Sequence, residues 1–252
     1  MQHIKISAVI TSFNEEKNIG RCLQSLQTVA DEIVVVDSFS TDSTQKICRE
    51  YTVHFVSKEW EGYSQAKNYG NTIAKYDFIL SLDADEALSA ELQESIKKLK
   101  SDNRYRAYYV SRLTNYCGKW IRHCGWYPDY KIRLWDRNTA HWEGIVHESL
   151  KFHQQTATGI LKGDLLHYSF YTISDHIKKA NMFSEIAANE LLKKEFKVNS
   201  IYHLILKPGY TFIHKYFFQL GFLDGFYGFI ICILSAFSNF LKYVKVIERT
   251  VK

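Results

Sequence analysis

An α/β fold, with a doubly wound and mostly parallel sheet followed by a helical C-terminal region, is what this sequence predicts. Three observations lead there. Short apolar runs rich in β-branched residues recur through the first hundred residues, segments of helical character separate them, and the last third turns into a long run almost free of charge. The 252 residues are 46% hydrophobic, enough for a substantial core, and only two prolines and no low-complexity tract interrupt them, which excludes a disordered chain.

The elements follow in order. "IKISAVITSF" (4–13) reads as a buried strand, with Asn14 as N-cap and Glu15 and Glu16 in the first turn of a helix reaching about Gln27. "EIVVVDS" (32–38) is the second strand, and "STDSTQKICREY" starts a helix behind Ser and Thr caps. "VHFVS" (53–57), a helix around "YSQAKNYGNTIAKY", and a fourth strand, Phe78 to Leu82, complete the series. Strands so spaced, with helical crossovers, imply a parallel sheet, and such sheets bind ligands beyond the carboxyl ends of their strands. Those ends carry Thr11, Ser12 and Phe13, then Asp37, then Asp83 and Asp85 with only Ala84 between them. Two carboxylates this close call for a cation or a solvated turn, in which Ser89 and Glu91 would cap the next helix. No GxGxxG follows the first strand and no GKS or GKT occurs, so dinucleotide and P-loop chemistry are not indicated.

Five scattered cysteines without a CxxC pair suit a reducing compartment and argue against a zinc site. The N-terminus has no signal-peptide cleavage pattern and reads as the first strand of a cytoplasmic fold. The net charge of +5 is uneven: residues from Lys193 onward carry +6 and the rest −1. A near-neutral body with a basic, aromatic tail points to an anionic membrane surface rather than to nucleic acid.

The ordered set "AVITSFNEEKNI", "IVVVDSFSTDST", "QAKNYG" and "LSLDADE" resembles the nucleotide-sugar-binding half of inverting glycosyltransferases of family 2, which have the GT-A fold. "GWYPDYKIRLWDR" and "EGIVHES" are similar to the subgroup of bacterial lipopolysaccharide inner-core glucosyltransferases. One departure is that Ser38 and Phe39 follow Asp37, where the family often has Asp-Asp or Asp-Ser and then Gly. The resemblance implies a catalytic domain over 1–170, with a nucleotide-sugar half over 1–100 and an acceptor half over 101–170, and a C-terminal helical region over 171–252.

It also implies roles. Asp85, with Asp83, would anchor a divalent cation, Mg or Mn, that stabilises the leaving diphosphate, with Asp83 turned toward the ribose or the metal's waters. Asp37 would bond the base or ribose, or merely cap the following helix, and Thr11 and Phe13 would line the base pocket. Lys67 would lie near the nucleotide or be an ordinary exposed helix lysine. Arg133 and Lys131 would reach the diphosphate or be solvated strand charges. Inversion needs a base for the acceptor hydroxyl. "EGIVHES" offers Glu143, His147 and Glu148, of which Glu148 is preferred, with Asp129 as the second candidate. Trp126 and Tyr127 could stack on a sugar or belong to the core, and His167 could contact metal or phosphate.

The run 217–241 holds one formal charge, Asp224, and is long enough to span a bilayer, but Gly221, Gly225 and Gly228 break it and the acid is costly at depth. Helices lying in the interface or forming a shallow hairpin are favoured over a single span, and packing on the catalytic domain or a dimer contact is the alternative. The expectation is a hexosyltransferase using a nucleoside diphosphate sugar, UDP-glucose, on a lipid-linked lipopolysaccharide acceptor at the inner face of the bacterial inner membrane. Two alternatives are a membrane-tethered, non-catalytic sugar-nucleotide binder and an Asp-x-Asp magnesium phosphatase.

Overall fold

The computed structural model describes residues 3–144 and 148–250. The chain forms two compact units, residues 1–112 with 129–168, and residues 113–128 with 169–252. Residues 113–128, expected with the acceptor half, thus belong with the C-terminal helices.

In the first unit β1 (Ile6–Ser12) lies between β2 (Glu32–Asp37) and β4 (Phe78–Asp83), and β3 (His54–Ser57) adds an edge, all four parallel. On the other side of β4 the direction reverses through β8 (Asp129–Asp136) and β6 (Ala107–Tyr116), and the sheet continues through β11 (Thr158–Phe170) to the three-residue β5 (Glu86–Leu88). A separate hairpin joins β9 (Ala140–Glu143) to β10 (Ser149–Phe152).

Alternation along each strand sorts the core. Ile6, Ala8, Ile10, Val35, Leu80 and Leu82 face Cys22, Leu23 and Leu26 of α1 (Ile19–Leu26), Cys48 of α2 (Thr44–Cys48), and Leu92 and Ile96 of α4 (Ala90–Ser101). Val9, Val34, Val36 and Ile79 point the other way, to Ala66 and Ala74 beside α3 (Tyr63–Ile73) and to Trp135 and Trp142. Each such aliphatic side chain contributes about 1.5–3 kcal/mol by leaving water. Gly70 lets α3 settle on this face, because a Cβ there would collide with the side chain of Val9.

Two helix starts differ from expectation. Asn14 is not an N-cap: it has a φ of 54°, its side chain accepts from the Thr41 amide at 2.8 Å, and α1 begins only at Ile19. Glu15 and Glu16 therefore precede the helix. At α2 the N-cap Ser43 makes no side-chain cap bond, and Asp42 accepts instead from the Thr44 amide at 2.9 Å. In both loops a polar partner won over the simple cap, in the first one from the neighbouring strand's loop. Ser89, by contrast, caps α4 as expected, accepting from the Leu92 amide at 3.2 Å.

In the second unit β7 (Lys119–Ile121) folds back on residues 114–116 through Cys117 and Gly118, both at positive φ, as a tight two-residue hairpin requires. Helix α5 (Ile173–Lys193) opens with a capping box between Thr172 and Asp175. A helical stretch follows in which π-wound turns, Tyr202–Leu206 and His214–Phe218, flank α6 (Lys207–Ile213). The apolar run is then interrupted by Leu220 at a φ of 54° and a 3-10 turn, Gly221–Asp224, before α7 (Gly225–Thr250). Gly228 is required there, since a Cβ would overlap the carbonyl of Gly221. Asp224 is buried in protein: its carboxylate accepts from the His123 amide at 2.8 Å and lies 3.1 Å from His123 Nδ1. Among the described residues one helical stretch, Gly221–Thr250, is long and apolar enough to cross a membrane, and only 22% of its most apolar window is buried.

Candidate active site

Strand register assembles the rim. Thr11 stands opposite Asp83, and Ser12 opposite Asp37, so the carboxyl ends of β1, β2 and β4 are level. Phe13 and Phe39 emerge from the loops beyond, 57% and 58% exposed, and those loops are laced by the Asn14 amide donating to Ser40 Oγ at 2.8 Å. Asp37 is buried, and its carboxylate accepts from the hydroxyls of Ser12 at 2.8 Å and Ser40 at 2.6 Å and from the Ser40 amide at 2.8 Å. Its local duty is to hold this loop.

The charged centre lies at the end of β4. Lys67 projects from α3, 4.8 Å over the Trp142 ring, and pairs with Asp83 at 2.9 Å and Glu148 at 3.0 Å. It is 1% exposed and so is not a solvated helix lysine. Arg133, on β8, is buried between Asp83 at 2.9 Å and Glu86 at 2.6 Å, so the solvated-strand reading fails for it as well. Burial alone would raise the Asp83 carboxyl, but Lys67 and Arg133 outweigh it and hold the group well below the usual carboxylate range. Burial likewise would lower Arg133, and Glu86 and Asp83 reverse this into a rise.

Glu86 is the member that sequence reading missed. It has no exposed side-chain surface, and it also accepts from the Asp83 amide at 3.0 Å. The signal was present as a third acid in "DADE", but only the distant Arg133 shows that it is a buried partner. Arg133→Met takes from the buried Glu86 its 2.6 Å partner and leaves only Arg112 at 3.8 Å, and we expect about 3–5 kcal/mol of destabilisation in a denaturant titration, whereas Arg104→Met at the exposed pair with Asp102 changes less than about 1 kcal/mol.

Asp85 points elsewhere. Its carboxylate is 3.3 Å from His167 Nε2, and its carbonyl accepts from the Tyr168 amide at 2.9 Å, because β11 pairs with β5 in a register that sets His167 opposite Glu86. His167 Nδ1 is buried without a protein partner. A carboxylate and an imidazole on an open rim are a donor set suited to a divalent cation such as Mn, and both oxygens of Asp83 are meanwhile occupied, one by Lys67 and one by Arg133. No cluster of three His, Cys, Asp or Glu gathers among the described residues.

Asp129 pairs with Arg112 at 2.7 Å and Lys131 at 3.0 Å. Burial raises its carboxyl, and the two cations more than offset this, leaving it lowered. Glu143 pairs with Lys151 at 2.8 Å on the β9–β10 hairpin. His147 lies outside the described residues. Trp126 and Tyr127 belong to the second unit, where Trp126 stacks on Phe170 with centroids 5.5 Å apart.

Comparison with known proteins identifies the family. The model of glycosyl transferase family 2 matches residues 7–160. An uncharacterized glycosyltransferase of Rickettsia bellii is 34% identical over 98% of this chain and 88% of its own length. The lipopolysaccharide core biosynthesis glycosyltransferase LpsC of Rhizobium meliloti is 28% identical over 98% and 93%. A mannosyltransferase of Pyrobaculum calidifontis, solved in complex with GDP-Man and Mn2+, shares the fold with a TM-score of 0.58 and 14% identity over 98% of this chain and 88% of that one. The α/β architecture is thus that of the GT-A glycosyltransferases, and the chain belongs to glycosyl transferase family 2.

Proposed function

We propose that this glycosyltransferase is inverting and metal-dependent, and that it moves glucose from UDP-glucose to the inner core of lipopolysaccharide at the inner face of the bacterial inner membrane. The observation that carries the chemistry is the Lys67 ammonium joining Asp83 to Glu148, beside the Asp85–His167 pair. The lipopolysaccharide acceptor is supported by the similarity to LpsC, and glucose and UDP by the motif resemblance.

Glu148 takes the proton of the acceptor hydroxyl as that oxygen bonds to the anomeric carbon and the bond from carbon to diphosphate oxygen breaks. Lys67, packed over Trp142, fixes the carboxylate's position. Asp85 and His167 would hold the cation, which when bound offsets the charge of the departing diphosphate. The Mn2+ in the Pyrobaculum calidifontis enzyme supports this choice. Asp83 is neutralised by its two cations and keeps Lys67 in place, while Thr11, Phe13 and the loop held by Asp37 form the base-side wall. The exposed apolar residues of the second unit, among them Phe218, Phe222 and Phe226, with the half-buried Lys215 and Lys242, suit an interfacial anchor that keeps the chain near a lipid-linked acceptor.

Incubating the purified protein with UDP-glucose tests the reading. Slow donor hydrolysis should appear with MnCl2, disappear with EDTA and return on adding Mn. Equal rates in EDTA would remove metal dependence, and turnover of GDP-mannose in place of UDP-glucose would remove the donor.

A further inference from the structure

A cavity of about 440 Å³ in the second unit lies along α5 and α7. The two helices run side by side in the same direction: the Ser238 hydroxyl lies 3.5 Å from the Ala180 carbonyl, and Lys245 Nζ donates to Asn181 and Ser184. The cavity exists because the facing positions are small, Ala180, Ser184 and Ala187 against Ser235 and Ser238, so the helices cannot fill the space between them. Its volume falls in the range of small-molecule sites.

The lining has two characters. Trp126, Phe170, Phe183 and Leu234 form an apolar wall. His176 adds no charge, since burial lowers its pKa to about 4 and its Nδ1 lies 3.0 Å from the Tyr116 hydroxyl. Against this wall stand Lys179 and Lys242, both half-buried, and among the described residues no Asp or Glu lines the cavity. Lys179 bonds Ser169 and lies 4.7 Å over the Phe170 ring, and Lys242 bonds Asn239. Neither forms an ion pair among the described residues; of the three donors on each ammonium Lys179 gives two to Ser169 and Lys242 gives one to Asn239 while lying 4.6 Å over the Tyr243 ring, so each keeps at least one for an anion. Both lysines line this one cavity, Lys179 from α5 and Lys242 from α7. Exposed apolar side chains, Ile177 and Phe183 on α5 and Ile233 and Phe237 on α7, continue the apolar surface outward.

We propose that this cavity seats one anionic phospholipid, with an acyl chain against Trp126, Phe170 and Leu234 and the phosphate between Lys179 and Lys242. The charge pattern favours this occupant over a peptide or a neutral lipid: two unpaired cations over an apolar wall match a single amphiphile with an anionic head. The proposal rests on the membrane-surface reading of this region and adds to it a defined, saturable site.

Tryptophan fluorescence of the full chain tests it. Phosphatidylglycerol brominated along its acyl chains, mixed into phosphatidylcholine vesicles, should quench the emission that Trp126→Phe removes. Monomeric dihexanoyl phosphatidylglycerol should bind saturably without vesicles, and inorganic phosphate should not compete at the same concentration. Ser235→Phe, which fills the cavity, should abolish both signals yet leave vesicle attachment intact. Lys179→Gln with Lys242→Gln should weaken dihexanoyl phosphatidylglycerol binding by about tenfold to thirtyfold. If vesicles bind but Trp126 is not quenched and the monomeric lipid does not bind, the seat is wrong and surface attachment stands. If the monomeric lipid binds while anionic vesicles are ignored, the seat stands and surface attachment fails. Equal competition by phosphate would show an anion site only and overturn the lipid assignment.

Discussion

Glu148→Gln should lose about 10²–10⁴-fold in transfer rate while binding UDP and Mn as the unaltered chain does. The amide preserves the shape beside Lys67, where the carboxylate sits at 3.0 Å, but cannot accept the acceptor's proton. Single-turnover transfer with UDP-glucose, alongside calorimetric titration with UDP, separates the two effects. Asp129→Asn should retain most of the rate, because Arg112 and Lys131 hold that carboxyl below its ordinary range against the effect of burial, and a weakly basic group is a poor proton acceptor. The reverse pattern, an inert Asp129→Asn and an active Glu148→Gln, would assign the base to Asp129.

Asp85→Asn should bring transfer below detection and weaken Mn binding by at least about 100-fold, with a stability change under about 1 kcal/mol. The small structural cost follows from its position: among the described residues the Asp85 carboxylate meets His167, at 3.3 Å, as its one ionisable ion-pair partner, and it is not part of the Lys67–Asp83–Arg133–Glu86 chain. His167→Ala should weaken Mn binding by a smaller factor, about tenfold. Electron paramagnetic resonance of free Mn measures binding apart from turnover. Unaltered Mn affinity in both variants would move the metal site away from this rim.

What was legible in the sequence was what depends on near neighbours. The strands 6–12, 32–37 and 78–83 are apolar runs whose burial follows from composition, and α3 shows in the spacing of Ala66, Gly70 and Ile73. Ser89 as a cap needs only the three residues after it. The candidate residues at the strand ends were legible too, since parallel topology alone brings Thr11, Asp37 and Asp83 to one edge. What escaped reading depends on partners far along the chain. Lys67 looks solvated until Glu148 and Asp83 enclose it, Glu86 until Arg133 reaches it 47 residues later, and Asn14 looks like a cap until Thr41 claims its side chain. Asp224 looked costly in an apolar run because its partners, the backbone and side chain of His123, lie 101 residues away.

The pairing of β5 with β11 bears on how such a chain can change length. His167 meets Asp85 only because Leu165, Leu166 and His167 stand opposite Leu88, Ala87 and Glu86. Strand side chains alternate faces, so one residue inserted or deleted between Gly159 and Leu166 would present Tyr168 or Leu166 in place of the imidazole and turn the neighbouring apolar residues outward. The segment 153–157, between β10 and β11, carries no such constraint. Natural length variation and engineered grafts should therefore gather in that connection, while the half-strand leading to His167 keeps its length even where its exposed residues drift.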